Sequence, residues 1–264
     1  MSVTALDARG VGGILRDWRQ RRRLSQLDLA LEAGISARHL SFVETGRSKP
    51  SADMVLHLAE QLEVPLRDRN ALLLAAGYAP RYGARSLNDP EMAHIRDALG
   101  RVLDGHEPFP ALAVDRYWNI VGSNSALGVL LDGVADELLV PPANAMRIAL
   151  HPDGMPPRVL NFAGWRNHLL HRLERAVALT GDPRLLELQG EVLGYPGPPA
   201  PDPAPPGADV MFGLKLAAPG DGRELSFFST ITTFGTPLDI TVSEIAIEAF
   251  FPADDQTAQW LATA

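Results

Sequence analysis

Apolar residues recur at helical spacing through residues 10–77, in short segments that single glycines interrupt. Ile14, Leu15 and Trp18 share one face of a first segment, and this periodicity predicts an amphipathic helix. Ser25 and Ser36 stand just before two later segments, where a serine hydroxyl can accept a hydrogen bond from a free helical N–H group. The pattern predicts five helices, of which the last four cover residues 26–33, 37–45, a segment that begins at 50–51, and 66–76.

A tight turn joins the second and third predicted helices. Gly34 and Gly46 follow the positions where these two helices must end, because a residue without Cβ enters the left-handed region at little cost. The small Ala30 and Ala33 permit a close crossing of the helices, so the pattern predicts an all-α helix-turn-helix domain. Its predicted inner positions are Leu29, Ala30, Ala33, Ile35, Leu40 and Val43.

The pattern of residues 89–264 is mixed. Helices are predicted over residues 90–103, 124–131, 143–150, 158–179 and 182–194. Strands are predicted over residues 110–114, 118–121, 210–216, 224–232 and 243–251, with a hairpin turn at 220–222 and a proline-rich loop over 196–207. Two early strands and three late antiparallel strands predict an α+β domain with a five-stranded, PAS-like sheet.

The composition narrows the possible classes of protein. The chain has 264 residues, 46% of them hydrophobic, which suffices for two packed domains. It contains no cysteine, which excludes a disulfide scaffold, a thiolate zinc site and a cysteine nucleophile. No apolar run reaches the roughly 18 residues of a membrane span, and no signal-peptide pattern opens the chain. We therefore expect a soluble cytoplasmic protein without a membrane partner.

Charge is unevenly distributed along the chain. The formal net charge of −8 argues, as an average, against a nucleic-acid partner. Residues 1–80, however, hold 11 basic against 9 acidic residues, a net charge of +2, while the remaining 184 hold 13 against 23, a net charge of −10. The basic residues include an arginine run at 21–23, which could equally be a solvated helix end. Glycine and proline interrupt the helical pattern between the two parts, so we predict domains over residues 1–80 and 90–264 and a linker over 81–89.

The predicted turn and its flanking helices carry a family resemblance. The sequences SQLDLA at residues 25–30, GIS at 34–36 and LSFVETGR at 40–47 closely resemble the phage-repressor-like (Cro/XRE type) DNA-binding domain. The resemblance covers most of residues 10–77. It implies double-stranded DNA as a partner, with the third helix in the major groove.

The same resemblance implies which side chains face DNA. The predicted DNA-binding residues are Gln26, Ser36, Ala37, Arg38, His39, Ser41, Arg47 and Lys49. Arg38 is the candidate for reading guanine, because its planar fork can donate to O6 and N7 together. Gln26 is expected at a phosphate, and Arg47 and Lys49 are expected to grip the DNA backbone. Phe42 either packs at the helix edge or touches a thymine methyl, and Glu44 is expected to cap the helix or to pair near Arg47.

A second family resemblance lies in the acidic part of the chain. It is carried by VDRYWNI at residues 114–120, NAMR at 144–147, HPDG at 151–154, FFSTITTFGTPLD at 227–239 and FFPADD at 250–255. These runs look like the MmyB-type ligand-binding domain over roughly residues 90–262. The resemblance implies a bacterial transcriptional regulator whose PAS-like domain holds a small apolar ligand, with a fatty acid as the expected class.

The ligand-binding candidates of this part are mostly aromatic. They are Trp118, Met146, Phe162, Trp165, Phe212, Phe228 and Phe234, although an aromatic residue at helical or strand spacing is more often part of the core. Arg147 is added because an arginine among apolar neighbours requires an anionic partner, which is a ligand carboxylate, Asp115 or Glu174. Asn124 and Asn144 are expected to cap helices, and residues 254–255 to begin the last helix.

Histidine spacing raises the alternative of a metal-dependent enzyme. His168 and His171 lie three residues apart on one predicted helix, with His151 nearby, a spacing that can hold a metal. No H-E-x-x-H motif, phosphate loop, nucleophile elbow or kinase motif set accompanies them. We therefore expect no enzyme, no metal, and no cofactor apart from a bound fatty acid or similar lipid.

Together the two parts predict a homodimeric, ligand-responsive DNA-binding transcription regulator. Ligand occupancy is expected to alter whether two helix-turn-helix units match half-sites about 34–36 Å apart. Two alternatives stay open. The C-terminal part could be a purely structural dimerisation domain with a filled core, or a metal-dependent enzyme fused to a DNA-binding head.

Overall fold

The computed structural model describes residues 10–197, 213–235 and 237–263, which form two compact units. The first unit comprises residues 10–86 with the short segments 178–182 and 237–243. The second comprises residues 87–177, 183–197, 213–235 and 244–263. Phe212 and most of the predicted proline-rich loop lie outside the described residues. Each unit has a hydrophobic core of its own.

Five helices follow one another in the N-terminal part of the first unit, as the hydrophobic pattern predicts. They are Gly10–Arg21 (α1), Gln26–Glu32 (α2), Ala37–Glu44 (α3), Ala52–Gln61 (α4) and Leu66–Ala75 (α5). Ser25, Ser36 and Ser51 cap α2, α3 and α4, each accepting a hydrogen bond from the N–H group three residues on. Asp28 accepts the Ser25 N–H in return, which completes a capping box at the start of α2.

The turn between α2 and α3 has the geometry that its glycine predicts. Gly34 has a φ of 63°, and Gly46, which follows α3, has a φ of 72°. Both angles lie in the left-handed region that glycine enters at little cost. The predicted inner positions are confirmed: Leu29, Ala30, Ala33, Leu40 and Val43 are buried, and Ile35 packs half-buried against them.

The basic residues at the end of α1 make contacts within the first unit. The guanidinium carbons of Arg21 and Arg22 lie 5.1 and 5.6 Å from the centre of the Trp18 ring. Arg22 also donates to the carbonyl oxygens of Leu62 and Glu63, just beyond α4. The interpretation of residues 21–23 as a merely solvated helix end therefore does not hold for Arg22.

The second unit contains a five-stranded antiparallel sheet, as predicted. Its strands are Ala111–Val114 (β1), Ile120–Ser123 (β2), Gly213–Ala217 (β3), Glu224–Thr233 (β4) and Ala246–Pro252 (β5). Their order is β2-β1-β5-β4-β3, and every neighbouring pair is antiparallel. The predicted hairpin turn joins β3 to β4 through Gly220 and Gly222, which have φ values of 84° and 67°.

Helices cover both faces of this sheet. The remaining helices are Ala93–Asp104 (α6), Gly128–Leu131 (α7), Asp136–Leu139 (α8), Ala145–Leu150 (α9), Phe162–Thr180 (α10), Pro183–Leu193 (α11), Ile240–Ser243 (α12) and Asp255–Leu261 (α13). Leu99 and Leu103 of α6 pack on one face of the sheet against Ile247. The larger core lies on the other face, where Leu173 of α10 is buried with Phe227. In the described part of the chain, no helix has the length and apolar character needed to cross a membrane.

Two predicted element boundaries are shifted for identifiable reasons. Helix α10 begins at Phe162 rather than at residue 158, because Val159 forms an isolated antiparallel bridge to Leu216 of β3 and residues 160–161 form a turn. The Leu160 N–H donates to the carbonyl oxygen of Lys215 at 2.9 Å. Strand β5 begins at Ala246 rather than at residue 243, because the preceding residues form the short helix α12.

The expected asparagine caps have different outcomes. Asn144 is confirmed, since its Oδ1 accepts the N–H groups of Met146 and Arg147 at the start of α9. The cap expected at Asn124 is wrong. Its Oδ1 accepts the Ala111 N–H at 2.9 Å and its Nδ2 donates to the Phe109 carbonyl oxygen at 2.7 Å. This buried amide therefore satisfies backbone groups at the start of β1 and, through a bond of 3.3 Å to the Leu103 carbonyl oxygen, at the end of α6, and not the start of the helix that follows it.

Candidate DNA-binding surface and ligand cavity

The start of α3 presents most of the predicted DNA-binding side chains together. Ser36 and Arg38 are exposed, and Ala37, His39 and Ser41 are half-buried around them. The opposite side of α3 is buried in the core of the first unit. We call these five residues, with the exposed Arg47 and Lys49 that follow α3, the α3 surface. A helix held from behind in this way can present its first turn to the edges of base pairs.

An aromatic ring holds two of the cations of the α3 surface. The guanidinium carbons of Arg38 and Arg47 lie 5.3 and 6.0 Å from the centre of the Phe42 ring. Phe42 is half-buried, so it packs at the helix edge, which is one of the two roles expected of it. Lys49 lies in the same way on Tyr78, with its Nζ 5.3 Å from the ring centre.

A buried carboxylate braces α3 from behind. Glu44 accepts hydrogen bonds from Arg19 Nε at 2.7 Å and from Arg19 Nη2 at 3.0 Å. The side chains of Arg19 and Glu44 are only 9% and 1% exposed, so this pair links α1 to α3 inside the core. The structural role expected for Glu44 is confirmed, but its partner is Arg19 and not Arg47.

Gln26 joins the same network. Its Nε2 donates to Glu44 Oε2 at 2.7 Å, which fixes the side chain at the start of α2. The phosphate contact expected of Gln26 stays a prediction. In such a contact, the Gln26 side-chain amide would bind the phosphate while it also donates a hydrogen bond to Glu44.

The second unit contains an apolar cavity with a free volume of about 60 Å³. Leu112 and Phe250 form its wall on the sheet, while Leu130 of α7, Ile148 of α9 and Leu169 of α10 close it from the other side. Every lining side chain is aliphatic, aromatic or methionine. Such a cavity suits an apolar occupant, because a polar group placed there would lose its hydrogen bonds to water.

Three of the predicted ligand-binding residues line this cavity: Trp118, Met146 and Trp165. Phe162 is half-buried against the same core but is not part of the wall. Phe228 and Phe234 lie elsewhere. Successive side chains of a strand face opposite ways, so Phe228 follows the inward Phe227 and stacks outside on Phe251, while Phe234 packs near α6. Phe212 lies outside the described residues.

Arg147 lies in a separate polar groove of about 310 Å³. Its Nε and Nη2 donate to the carboxylate of Glu191 at 2.8 and 2.7 Å. The protein partners expected for it, Asp115 and Glu174, are therefore wrong. The hydrogen bonds from Arg147 hold the pKa of Glu191 below its usual range. Tyr195 also donates to Glu191, and its burial and this bond raise the pKa of its hydroxyl to about 12.

The three histidines considered for a metal make unrelated contacts. His168 stacks on Trp165 with ring centres 6.0 Å apart, and burial lowers its pKa. His171 lies 3.3 Å from Glu174 on the surface, and His151 packs against the Tyr195 ring. Within the described ranges, no group of three histidine, aspartate or glutamate side chains is arranged to hold a metal ion.

Two features at the cavity were not predicted from the sequence. Trp118 has a φ of 68°, and Arg172 lies over its ring in an ion pair with Glu248. Spacing could have indicated the pair. Arg172 follows Leu169 by three residues on a helix, and Glu248 precedes Phe250 by two on a strand, so each shares the face of a cavity residue.

Comparison with protein families gives two matches. Residues 95–264 match the MmyB-like transcription regulator ligand binding domain, and residues 15–68 match a helix-turn-helix family. No curated protein matches the chain significantly. The first match takes in the whole sheet and the apolar cavity, and the second takes in α2, α3 and the α3 surface.

Proposed function

Since the chain belongs to the MmyB-like transcription regulator family and carries a helix-turn-helix, it is a DNA-binding regulator with a ligand-binding domain, and we propose that occupancy of the cavity modulates its binding to DNA. The proposed ligand is a small apolar molecule, and the family resemblance implies a fatty acid or a similar lipid. One observation supports this proposal above all: the part of the chain matched as a ligand-binding domain contains a cavity with wholly apolar walls.

The α3 surface is the proposed DNA-reading element. Arg38 donates to guanine in the major groove, while Arg47 and Lys49 bind phosphates. The exposure of all three side chains supports these roles. The Phe42 ring beneath Arg38 limits the orientations of its guanidinium group, which lowers the entropy lost on binding a base.

Ligand entry requires the cavity to enlarge. Its volume of about 60 Å³ is less than half of the roughly 150 Å³ that admits benzene in an engineered protein cavity. Met146 and Met155 in the wall have unbranched, flexible side chains that can repack around a guest. Binding therefore changes the packing of the second unit, which is the physical basis for a ligand to act on a distant site.

A homodimer completes the proposal. A single α3 contacts only a few base pairs, and helix-turn-helix proteins gain specificity by binding two half-sites about 34–36 Å apart. A ligand that changes the spacing of two units would change operator affinity without touching DNA.

The small cavity favours one other candidate function. A C-terminal domain that only dimerises needs a well-filled core, and a cavity of about 60 Å³ is close to filled. Native mass spectrometry of the purified protein separates the two candidates. A retained small molecule supports the ligand-responsive regulator, and repeated preparations that retain none and accept none support the structural domain.

Replacement of Arg38 tests the DNA-reading role. Arg38→Ala is expected to weaken binding to a selected operator by about 1–3 kcal/mol and to relax base preference at one position. Lys49→Ala should instead weaken specific and random DNA alike and reduce the slope of log affinity against log salt concentration by about one. Fluorescence anisotropy titrations of labelled duplexes at several salt concentrations measure both effects.

Glu32→Ala is the control for this experiment, since Glu32 is exposed on α2 and outside the α3 surface. Equal losses on operator and random DNA for Arg38→Ala would contradict the base-reading role.

A further inference from the structure

Residues 69–94 lie outside both family matches, and the first part of this stretch belongs to the first unit. Asn70 of α5 holds a short segment of it, residues 78–82, which we call the arm. The Asn70 Oδ1 accepts the N–H groups of Arg81 and Tyr82 at 2.9 and 3.1 Å, and its Nδ2 donates to the Tyr82 carbonyl oxygen at 2.7 Å. All three are well-formed hydrogen bonds, so the backbone of the arm has a defined path along the first unit.

The arm begins beside Lys49 of the α3 surface. A Cβ atom built at Gly77 would lie 3.5 Å from Lys49 Nζ, and the same Nζ lies 5.3 Å from the centre of the Tyr78 ring. The Tyr78 hydroxyl donates to the Pro50 carbonyl oxygen at 3.0 Å, which ties the ring to the residue next to Lys49. The start of the arm therefore shares an edge of the first unit with one of the proposed phosphate contacts.

Arg81 brings a cation from the arm to the start of α4. Its Nη1 lies 3.9 Å from Oδ1 of Asp53, which stands in the first turn of α4 and follows Lys49 by four residues. The Arg81 and Asp53 side chains are 65% and 96% exposed, and their separation exceeds that of a hydrogen bond. An exposed pair of this kind contributes little to stability and is screened by salt, so Asp53 holds Arg81 only weakly.

We propose that Arg81 binds a phosphate of double-stranded DNA, next to those that Arg47 and Lys49 bind. This deepens the proposed function and rests on it, and it adds a contact outside the α3 surface and outside the helix-turn-helix match. Each DNA strand presents one phosphate per about 3.4 Å of helix axis, so a cation beside Lys49 meets the same backbone. Because Asn70 already holds the backbone of the arm, little chain entropy is lost when the guanidinium group binds.

Asp53 gives this contact a property that a structural ion pair lacks. Its carboxylate competes with a phosphate for Arg81 and repels the DNA backbone. Replacement of Asp53 by asparagine should therefore strengthen DNA binding, and most of all when Arg81 is present. If the ion pair served only the fold, the same replacement would leave DNA affinity unchanged or lower it.

Anisotropy titrations of the full-length protein against a selected operator and a random duplex, at several salt concentrations, test the proposal. Arg81→Gln should weaken binding to both duplexes by the same factor, about threefold to tenfold, and reduce the slope of log affinity against log salt concentration by about one. Asp53→Asn should raise the affinity for both duplexes by about twofold to fivefold, and this gain should shrink when Arg81→Gln is also present.

Arg101→Gln is the matched control, because Arg101 is exposed on α6 of the second unit and its replacement changes the net charge by the same amount. It should leave affinity and salt slope unchanged. An equal effect of Arg101→Gln would show that overall charge, and not a contact of the arm, governs the loss. That result would overturn the proposal, as would an unchanged salt slope in Arg81→Gln or a gain from Asp53→Asn that does not depend on Arg81.

The same titrations separate this proposal from the proposed function. Thermal unfolding first confirms that the variants are folded, since Arg81 and Asp53 are exposed and their replacement should not change the unfolding temperature. Loss of affinity in Arg38→Ala and Lys49→Ala, with wild-type binding by Arg81→Gln, rejects the contact of the arm and leaves the α3 surface as the DNA-binding element. Wild-type binding by all three variants rejects both.

Discussion

A buried ion pair positions α3, the helix that is proposed to read DNA. Arg19 and Glu44 are almost completely shielded from bulk water, so each depends on the other for charge compensation. Gln26 shares the Glu44 carboxylate and is thereby tied to α3. The network therefore couples the stability of the first unit to the geometry of its α3 surface.

Removal of Glu44 tests this coupling. Glu44→Ala should destabilise the first unit by about 3–5 kcal/mol, because it leaves Arg19 buried without a counter-charge. Urea unfolding followed by circular dichroism measures the loss. Arg19→Met combined with Glu44→Leu should recover most of it, since an apolar pair needs no compensation. A loss below about 1 kcal/mol for Glu44→Ala would contradict the account.

Residue-scale prediction from sequence succeeds where the partner is local. The Ser25 and Ser36 caps follow from groups within three residues along the chain. The pairing of Arg147 with Glu191 spans 44 residues, and the buried bonds of Asn124 depend on where β1 lies. Such partners are set by tertiary folding, which local pattern does not encode.

At the scale of elements, too, the sequence predicts what neighbouring residues determine and does not predict what distant residues determine. Helical and strand patterns predict the five N-terminal helices and all five strands, because the signals for each element lie within its own segment and at its ends. They do not predict that the residues just before α10 are bonded to β3, since that strand lies more than fifty residues later in the chain. The same limit explains why aromatic candidates could not be sorted between the cavity and the outer face of the sheet.

The close crossing of α1 and α3 depends on a glycine, Gly12. Alanine normally favours a helix over glycine by up to about 1 kcal/mol. At Gly12, however, a Cβ atom would lie 2.2 Å from the Val43 carbonyl oxygen. Gly12→Ala should therefore force α1 away from α3 and destabilise the protein by about 1–3 kcal/mol.

Gly100 of α6 is the matched control, since nothing lies within 4 Å of a Cβ built there. Gly100→Ala should leave stability unchanged or raise it slightly. Thermal unfolding of both variants measures the contrast, and a stabilised Gly12→Ala would show that the two helices do not cross as closely as described.

At the scale of the whole molecule, the two parts of the chain differ in net charge and in the kind of site they carry. The net charge of the whole chain hides this difference. The net charge of −8 combines a mildly basic N-terminal part with a strongly acidic remainder. The exposed cations of the α3 surface belong to the basic part, and the apolar cavity belongs to the acidic part. An acidic remainder repels DNA, which would favour contact through the basic part alone.

The most direct test of the regulator is its operator affinity in two states of the cavity. The protein is first stripped of small molecules, and the occupant identified by native mass spectrometry is then restored. Anisotropy titrations of the same operator at fixed salt concentration should differ by at least about fivefold between the two states, the lower end of typical coupling between sites. Identical affinities with a demonstrably filled and emptied cavity would contradict the account.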